Sequence, residues 1–320
     1  MMDVKFELTS PAEKVDQKIK VFEQAAISEK IKLKPPTIER IFLAIDSHLD
    51  ASEISENAMR ITLNLALKFQ AEVYIACIVP TAEELVDSEK LVNDSIKLFE
   101  SKNVSVIGGC GIGFPSEHIL GLSKDFNPNL LVLPIPYGER AETFEIESLG
   151  ATVDLVIRKS PFPILLVRKP KFKPSEITKN MLMLLSKKEN IEAAEWALTL
   201  GERGSKLKLL SIIEKETVEK VQDLAEEISS SEIGKGLLEH SHKKAIQPLI
   251  NGIIEEAKNR EIEVKRIHLV GNRVKLTLEE AKKEHTLIVL SAILVDQKIL
   301  VSEVENVAKF SKIPILIVKD

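Results

Sequence analysis

The sequence predicts an α/β protein made of two tandem, doubly wound, five-stranded parallel sheets behind an N-terminal helical extension. Three observations carry this. Short apolar runs alternate with amphipathic stretches of helical period, an order that implies right-handed helical crossovers between parallel strands. The same element order then comes round again in the second half. The ends of the two copies also read alike, with "VIRKSPFPILLVRK" at 156–169 answered by "VAKFSKIPILIVKD" at the C-terminus.

The elements follow in order. In residues 1–37, Ser10-Pro11-Ala12-Glu13 has the form of a capping box with proline at the first helical position. Val15, Ile19, Phe22 and Ala26 recur at helical spacing, so one amphipathic helix is expected to end near Lys30. "KLKPPT" is read as a linker, because its prolines remove donors and turn the chain away from helix. The first copy, 38–170, offers strands at "RIFLAID", "EVYIACIV", "VSVIG", "NLLVLP" and "PILLV". Helices are expected between them at 52–69, 82–101, 116–125 and 150–159. Residues 171–177 join it to the second copy, 178–320, where "NMLMLLS", "KLKLLSII", "EVKRIHLV" and "HTLIVLSA" answer the first four strands. The second copy has an enlarged crossover at about 217–259, which "ISSSEIGKG" should divide into two helices.

Composition narrows the function. The 320 residues suffice for about two domains, with 44% apolar and 29% charged residues, the balance of a soluble globular protein. A net charge of −5 gives no electrostatic case for nucleic acid or a membrane surface. No apolar run approaches a membrane span, and the N-terminus lacks a signal-peptide core. Two cysteines, Cys77 and Cys110, are too few and too poorly spaced for a disulfide or zinc framework. A reduced, cytoplasmic protein is the reading. Cys77 should pack as a small apolar residue in a buried strand, and Cys110 should lie in an exposed glycine turn without a base to activate it.

That turn, "VIGGCGIGFPSEHIL", has the look of a phosphate loop, with four glycines in six residues. A dinucleotide fingerprint needs Gly-x-Gly-x-x-Gly after the first strand, whereas here the third position falls on Phe114 or Ser116 and the turn follows the third strand. It is read instead as a tight turn, with Pro115 opening a helix.

With "FLAID", "GFPSEHIL" and "VIRKSPFPILLV" in these places, the chain resembles the universal stress protein family. The resemblance is clearer over 38–170 than over 178–320. It implies an adenine nucleotide alpha hydrolase-like fold with strand order 3-2-1-4-5, and pairing of the two copies through their fifth strands, "FPILLV" and "IPILIV". It also implies a place for ATP or AMP in the first copy, at Ala44, Ile45, Asp46, Ile78, Leu133, Gly138, Gly150, Ala151 and Thr152. In ATP-binding members the phosphates lie on a Gly-x-x-Gly, nine-residue, Gly-Ser loop after the fourth strand.

This chain departs from that pattern. Pro134 replaces the first glycine, Gly138 leaves eleven residues before Gly150, and four carboxylates (Glu139, Glu142, Glu145 and Glu147) outnumber Arg140. In the second copy the loop is about six residues shorter, its last glycine has become Val301, and the first strand ends in Ser186. A degraded nucleotide site in the first copy and none in the second are therefore expected. Asp46 either faces adenosine or caps the turn "DSHLDAS". Asp46, His48 and Asp50 are read as solvated and not as metal ligands. His240 and His242 fall on different helix faces, and Trp196 is assigned to the core.

The expected function is a non-catalytic, cytoplasmic stress-response regulator. The N-terminal helix and the 217–259 insertion would offer a surface to a protein partner, and a homodimer is a further option. Two alternatives stand beside it: an ATP-binding switch or slow ATPase using the first copy, and a sensor of another small molecule, a lipid-like ligand being one option.

Overall fold

A computed structural model describes residues 30–48, 52–137, 149–168, 172–185, 190–216, 231–292, 294–295, 298–299 and 301–319. Side chains of residues 52, 231–242, 294–295, 298–299 and 301–302 are not described. The expected N-terminal helix up to residue 29, the loop at 139–147 and the first part of the insertion, 217–230, lie outside these residues.

The first half runs β1 (Arg40–Ile45), α1 (Ser52–Phe69), β2 (Glu72–Val79), α2 (Leu85–Glu100), β3 (Val106–Ile112), α3 (Pro115–Phe126), β4 (Leu130–Pro134), α4 (Ala151–Lys159) and β5 (Ile164–Val167). The second half repeats this as β6 (Asn180–Leu185), α5 (Ile191–Leu200), β7 (Lys206–Ile213), α6 (Ser231–Asn259), β8 (Glu263–Val270), α7 (Arg273–Ala281) and β9 (Leu287–Ala292). A small ribbon, β10 (Leu294–Val295) with β11 (Lys298–Ile299), precedes α8 (Val301–Phe310) and β12 (Ile315–Lys319).

All the larger strands join one ten-stranded sheet in the order β3-β2-β1-β4-β5-β12-β9-β6-β7-β8. Each half is parallel, with its strands in the 3-2-1-4-5 order. The halves meet where β5 and β12 pair antiparallel, Leu165 opposite Leu316. Both strands are almost wholly apolar, because a central strand is covered on both faces. One continuous core lies on each side of the sheet. Ile41, Leu43, Cys77, Leu165, Met183 and Leu209 belong to one face, and Phe42, Ala44, Leu133, Leu166, Leu182 and Leu210 to the other. Trp196 is buried in the first of these.

Further contacts fasten the halves. Lys68, at the end of α1, donates to the Leu200 carbonyl at the end of α5 (2.6 Å), a cation meeting exposed helix carbonyls. Arg168 donates to the carbonyls of Ala308 and Lys309 in the same way at the end of α8. Residues 30–37 are more than a spacer. The Ile31 N–H donates to the Pro248 carbonyl on α6 (3.1 Å), the Lys34 N–H to Glu195, and the Thr199 hydroxyl to the Pro36 carbonyl (2.9 Å). The chain thus straps the second half before entering the first. Gly252 makes the crossing feasible, since a Cβ there would come within 2.2 Å of the Ile31 carbonyl oxygen.

One expectation needs correction. The glycines of "GGCGI" do not form the turn: β3 runs through them to Ile112, and only Gly113, at φ +136°, turns the chain. β3 is an edge strand, where weak strand formers are tolerated, and a Cβ at Gly108 would meet the Ile75 carbonyl at 2.6 Å. Cys110 therefore lies in a strand, directly opposite Cys77, with both thiols free. In the insertion, a helix begins at Ser231, inside "ISSSEIGKG", and runs to Asn259, while residues 217–230, where the other expected helix would fall, lie outside the described residues. This helix takes the place that α2 holds in the first half. Ile246, Leu249 and Ile253 bury it in the core.

Candidate functional site

In a doubly wound sheet, ligands bind beyond the carboxyl ends of the strands where the strand order reverses. In the first half that place lies between β1 and β4. Ala44 and Ile45 close β1 and are fully buried, with Ile78 and Leu133 beside them on β2 and β4. Asp46 follows at once and is only 5% exposed. Its Oδ1 accepts the His48 N–H (3.0 Å), while its own N–H donates to Ser55 Oγ and its carbonyl accepts from the same hydroxyl. The first of these bonds is local to the chain just after β1, and the other two tie it to Ser55 in α1.

Sequence reasoning missed a buried residue beside these strand ends. Tyr137, just beyond β4, is fully buried, and its hydroxyl accepts the Ile78 N–H at 3.1 Å. β1 ends opposite Cys77, so the Ile78 amide has no ladder partner on that side, and the phenol supplies one. Burial holds the Tyr137 hydroxyl well above its ordinary pKa, with the neighbouring Cys77 and Asp46 adding to the effect. The phenol is thus neutral and packed with Leu133 and Ile135. The available signal was an aromatic in "LPIPYG", in a chain with only two tyrosines.

Of the expected phosphate residues, Gly138 lies outside the described residues. Gly150 caps α4 at φ +82°, a conformation that favours glycine with or without a ligand, with Ala151 exposed and Thr152 half-buried behind it. Among the described residues no three His, Cys, Asp or Glu converge on a metal position.

In the second half, counting back from the matching fifth strands, where Ile315 answers Ile164, Glu303 in the first turn of α8 stands where Thr152 stands in the first half. Its carboxylate lies 3.1 Å from Arg273, which also approaches Glu214 (3.8 Å) and the Ile212 carbonyl. Burial pushes the Glu303 carboxyl up, and Arg273 pulls it back. A protein carboxylate thus occupies the first turn of the helix where an anion would otherwise be favoured.

Residues 179–319 match the model of the universal stress protein family. This part of the chain is a universal stress protein domain. The family match thus falls on the half whose motifs looked weaker in sequence. None of the curated proteins compared with the chain matches it.

Solved structures extend the likeness of fold to the whole chain. A putative universal stress protein from Pseudomonas aeruginosa UCBPP-PA14 superposes with a TM-score of 0.61 at 12% identity, covering 92% of this chain and 95% of its own. A functionally unknown protein from Pseudomonas aeruginosa PAO1 gives 0.60 at 12% identity, covering 92% and 94%. A universal stress protein from Archaeoglobus fulgidus DSM 4304 gives 0.57 at 15% identity, covering 87% and 96%. The first half therefore has the universal stress protein fold as well. No described helix is long and apolar enough to cross a membrane.

Proposed function

We propose that this chain is a non-catalytic, cytoplasmic regulatory protein of the universal stress protein type, in which each half fills its ligand crevice with its own side chains. Tyr137 carries this reading. Its ring takes up the space beside Asp46, and its hydroxyl takes up the Ile78 amide, a group expected to face an adenine nucleotide. The pairing of Glu303 with Arg273 supports the same reading for the second half. ATP or AMP would have to displace a buried phenol and leave a backbone donor in need of a new partner.

The output then passes through protein contacts. The surfaces proposed for a partner are the N-terminal extension and the outward face of the 217–259 insertion, where Ile254 is exposed beside Glu255. Self-association of whole chains is a second use for the same surfaces.

The test is mass spectrometry of small molecules released when the purified chain is denatured. The proposal expects no stoichiometric ligand. Released ATP or AMP would instead support a nucleotide switch or slow ATPase, and another released compound would support a small-molecule sensor.

A further inference from the structure

A cavity of about 590 Å³ opens at the amino ends of β6, β9 and β12, the opposite end of the second half's strands from its ligand crevice. Its volume lies within the range of small-molecule sites. Three separate stretches of chain bring lysines to it: Lys179 before β6, Lys282 and Lys283 after α7, and Lys312 after α8. Against these four cations the lining carries two carboxylates, Glu176 and Glu284. Glu176 is engaged by Lys179 at 3.4 Å. The buried Glu280 behind the wall is neutralised by Lys208 (2.7 Å) and Lys283 (2.6 Å). Lys282 and Lys312 have no ion-pair partner among the described residues.

The rest of the lining is of another kind. Phe172 from the connecting segment and Phe310 from the end of α8 both line the cavity, and Phe310 keeps 42% of its surface exposed. Lys309 stands over one side of the Phe310 ring, 5.7 Å from its centre, and the ring surface left exposed at the mouth of this cationic cavity is apolar area to offer a ligand. Lysine ammoniums suit a phosphate as mobile point charges, without the planar fork a carboxylate would favour.

We propose that this cavity binds a phosphorylated small molecule with a flat apolar body, its phosphate at Lys282 and Lys312 and its body against Phe310. The site depends neither on the crevice at Tyr137 nor on the outcome there.

The probe is phenyl phosphate, titrated calorimetrically into the full chain at low ionic strength, with inorganic phosphate and phenol as the partial ligands. The expected result is saturable one-to-one binding of phenyl phosphate, weaker binding of phosphate and none of phenol. Lys282→Glu with Lys312→Glu should weaken phenyl phosphate at least about tenfold. Phe310→Ser should weaken phenyl phosphate and leave inorganic phosphate unchanged. All three side chains are exposed, so thermal melts should match the parent and exclude misfolding. Absence of saturable binding, or binding that survives the double charge reversal, would overturn the proposal.

Discussion

The Tyr137 hydroxyl accepts a hydrogen bond from the Ile78 amide, 3.1 Å away across 59 residues of sequence, with both residues buried. One side chain thereby satisfies an amide near the end of β2, past the last residue paired with β1, and joins the segment after β4 to the sheet. A ligand and this tyrosine would compete for the same volume and the same donor. Tyr137 is itself a packed part of the core, and the proposed function rests on that.

Tyr137→Phe keeps the ring and removes the acceptor, leaving the Ile78 N–H buried and unpaired. A loss of about 1–3 kcal/mol is expected in urea unfolding. Tyr137→Ala also removes the ring, and the expected loss rises to about 3–5 kcal/mol.

Two carboxylates give opposite dependences on pH. Burial would raise the Glu280 carboxyl, but hydrogen bonds from Lys208 and Lys283 hold it down at about 2. The unfolded chain then binds the extra proton first, so stability present above about pH 4.5 is lost as pH falls toward 2. Glu280→Gln should flatten this acid limb, and should cost about 3 kcal/mol at neutral pH by breaking a buried pair.

Glu305 on α8 works the other way. Burial and the adjacent Asp154 of α4 raise its carboxyl to about 7, against the pull of Arg158. Here the folded chain holds the proton longer, so stability falls as pH rises from about 4.5 through 7. Glu305→Gln should be more stable than the parent at pH 8, with the difference vanishing near pH 4. Thermal melts across this range give the comparison.

The paired cysteines should be sluggish. Burial pushes the Cys77 thiol up to about 12 and raises Cys110 as well, so neither is a thiolate at neutral pH. In the folded chain a thiol reagent is expected to modify the half-buried Cys110 slowly and Cys77 hardly at all. Both should react at once in denaturant.

Gly252→Ala should loosen the strap. Alanine improves helix propensity by about 1 kcal/mol, yet its Cβ would collide with the Ile31 carbonyl. Trypsin cleavage near Lys32 should quicken about fivefold, which corresponds to roughly 1 kcal/mol of lost docking. Unchanged cleavage would show that the strap does not depend on this close approach.

What the sequence revealed follows from periodicity. The alternation of apolar runs and helical stripes located α1, β2, β7 and β8 to the residue, because each is an uninterrupted pattern bounded by breakers. β3 was misjudged because glycine is a poor strand former, and its place at a sheet edge is a tertiary fact. The two cysteines looked unrelated at 33 residues apart, yet parallel pairing makes them neighbours. Asp46 could be found from its position after the first strand. Tyr137 and Arg273 could not, since their roles depend on which distant groups, the Ile78 amide and Glu303, the fold brings against them.

The most direct test of the filled crevice is calorimetric titration of ATP into the full parent chain and into Tyr137→Ala. The account predicts no saturable binding to the parent up to about 1 mM ATP, a limit that admits only weak affinity. One-to-one binding to the parent with a micromolar Kd, unaltered by Tyr137→Ala, would contradict it.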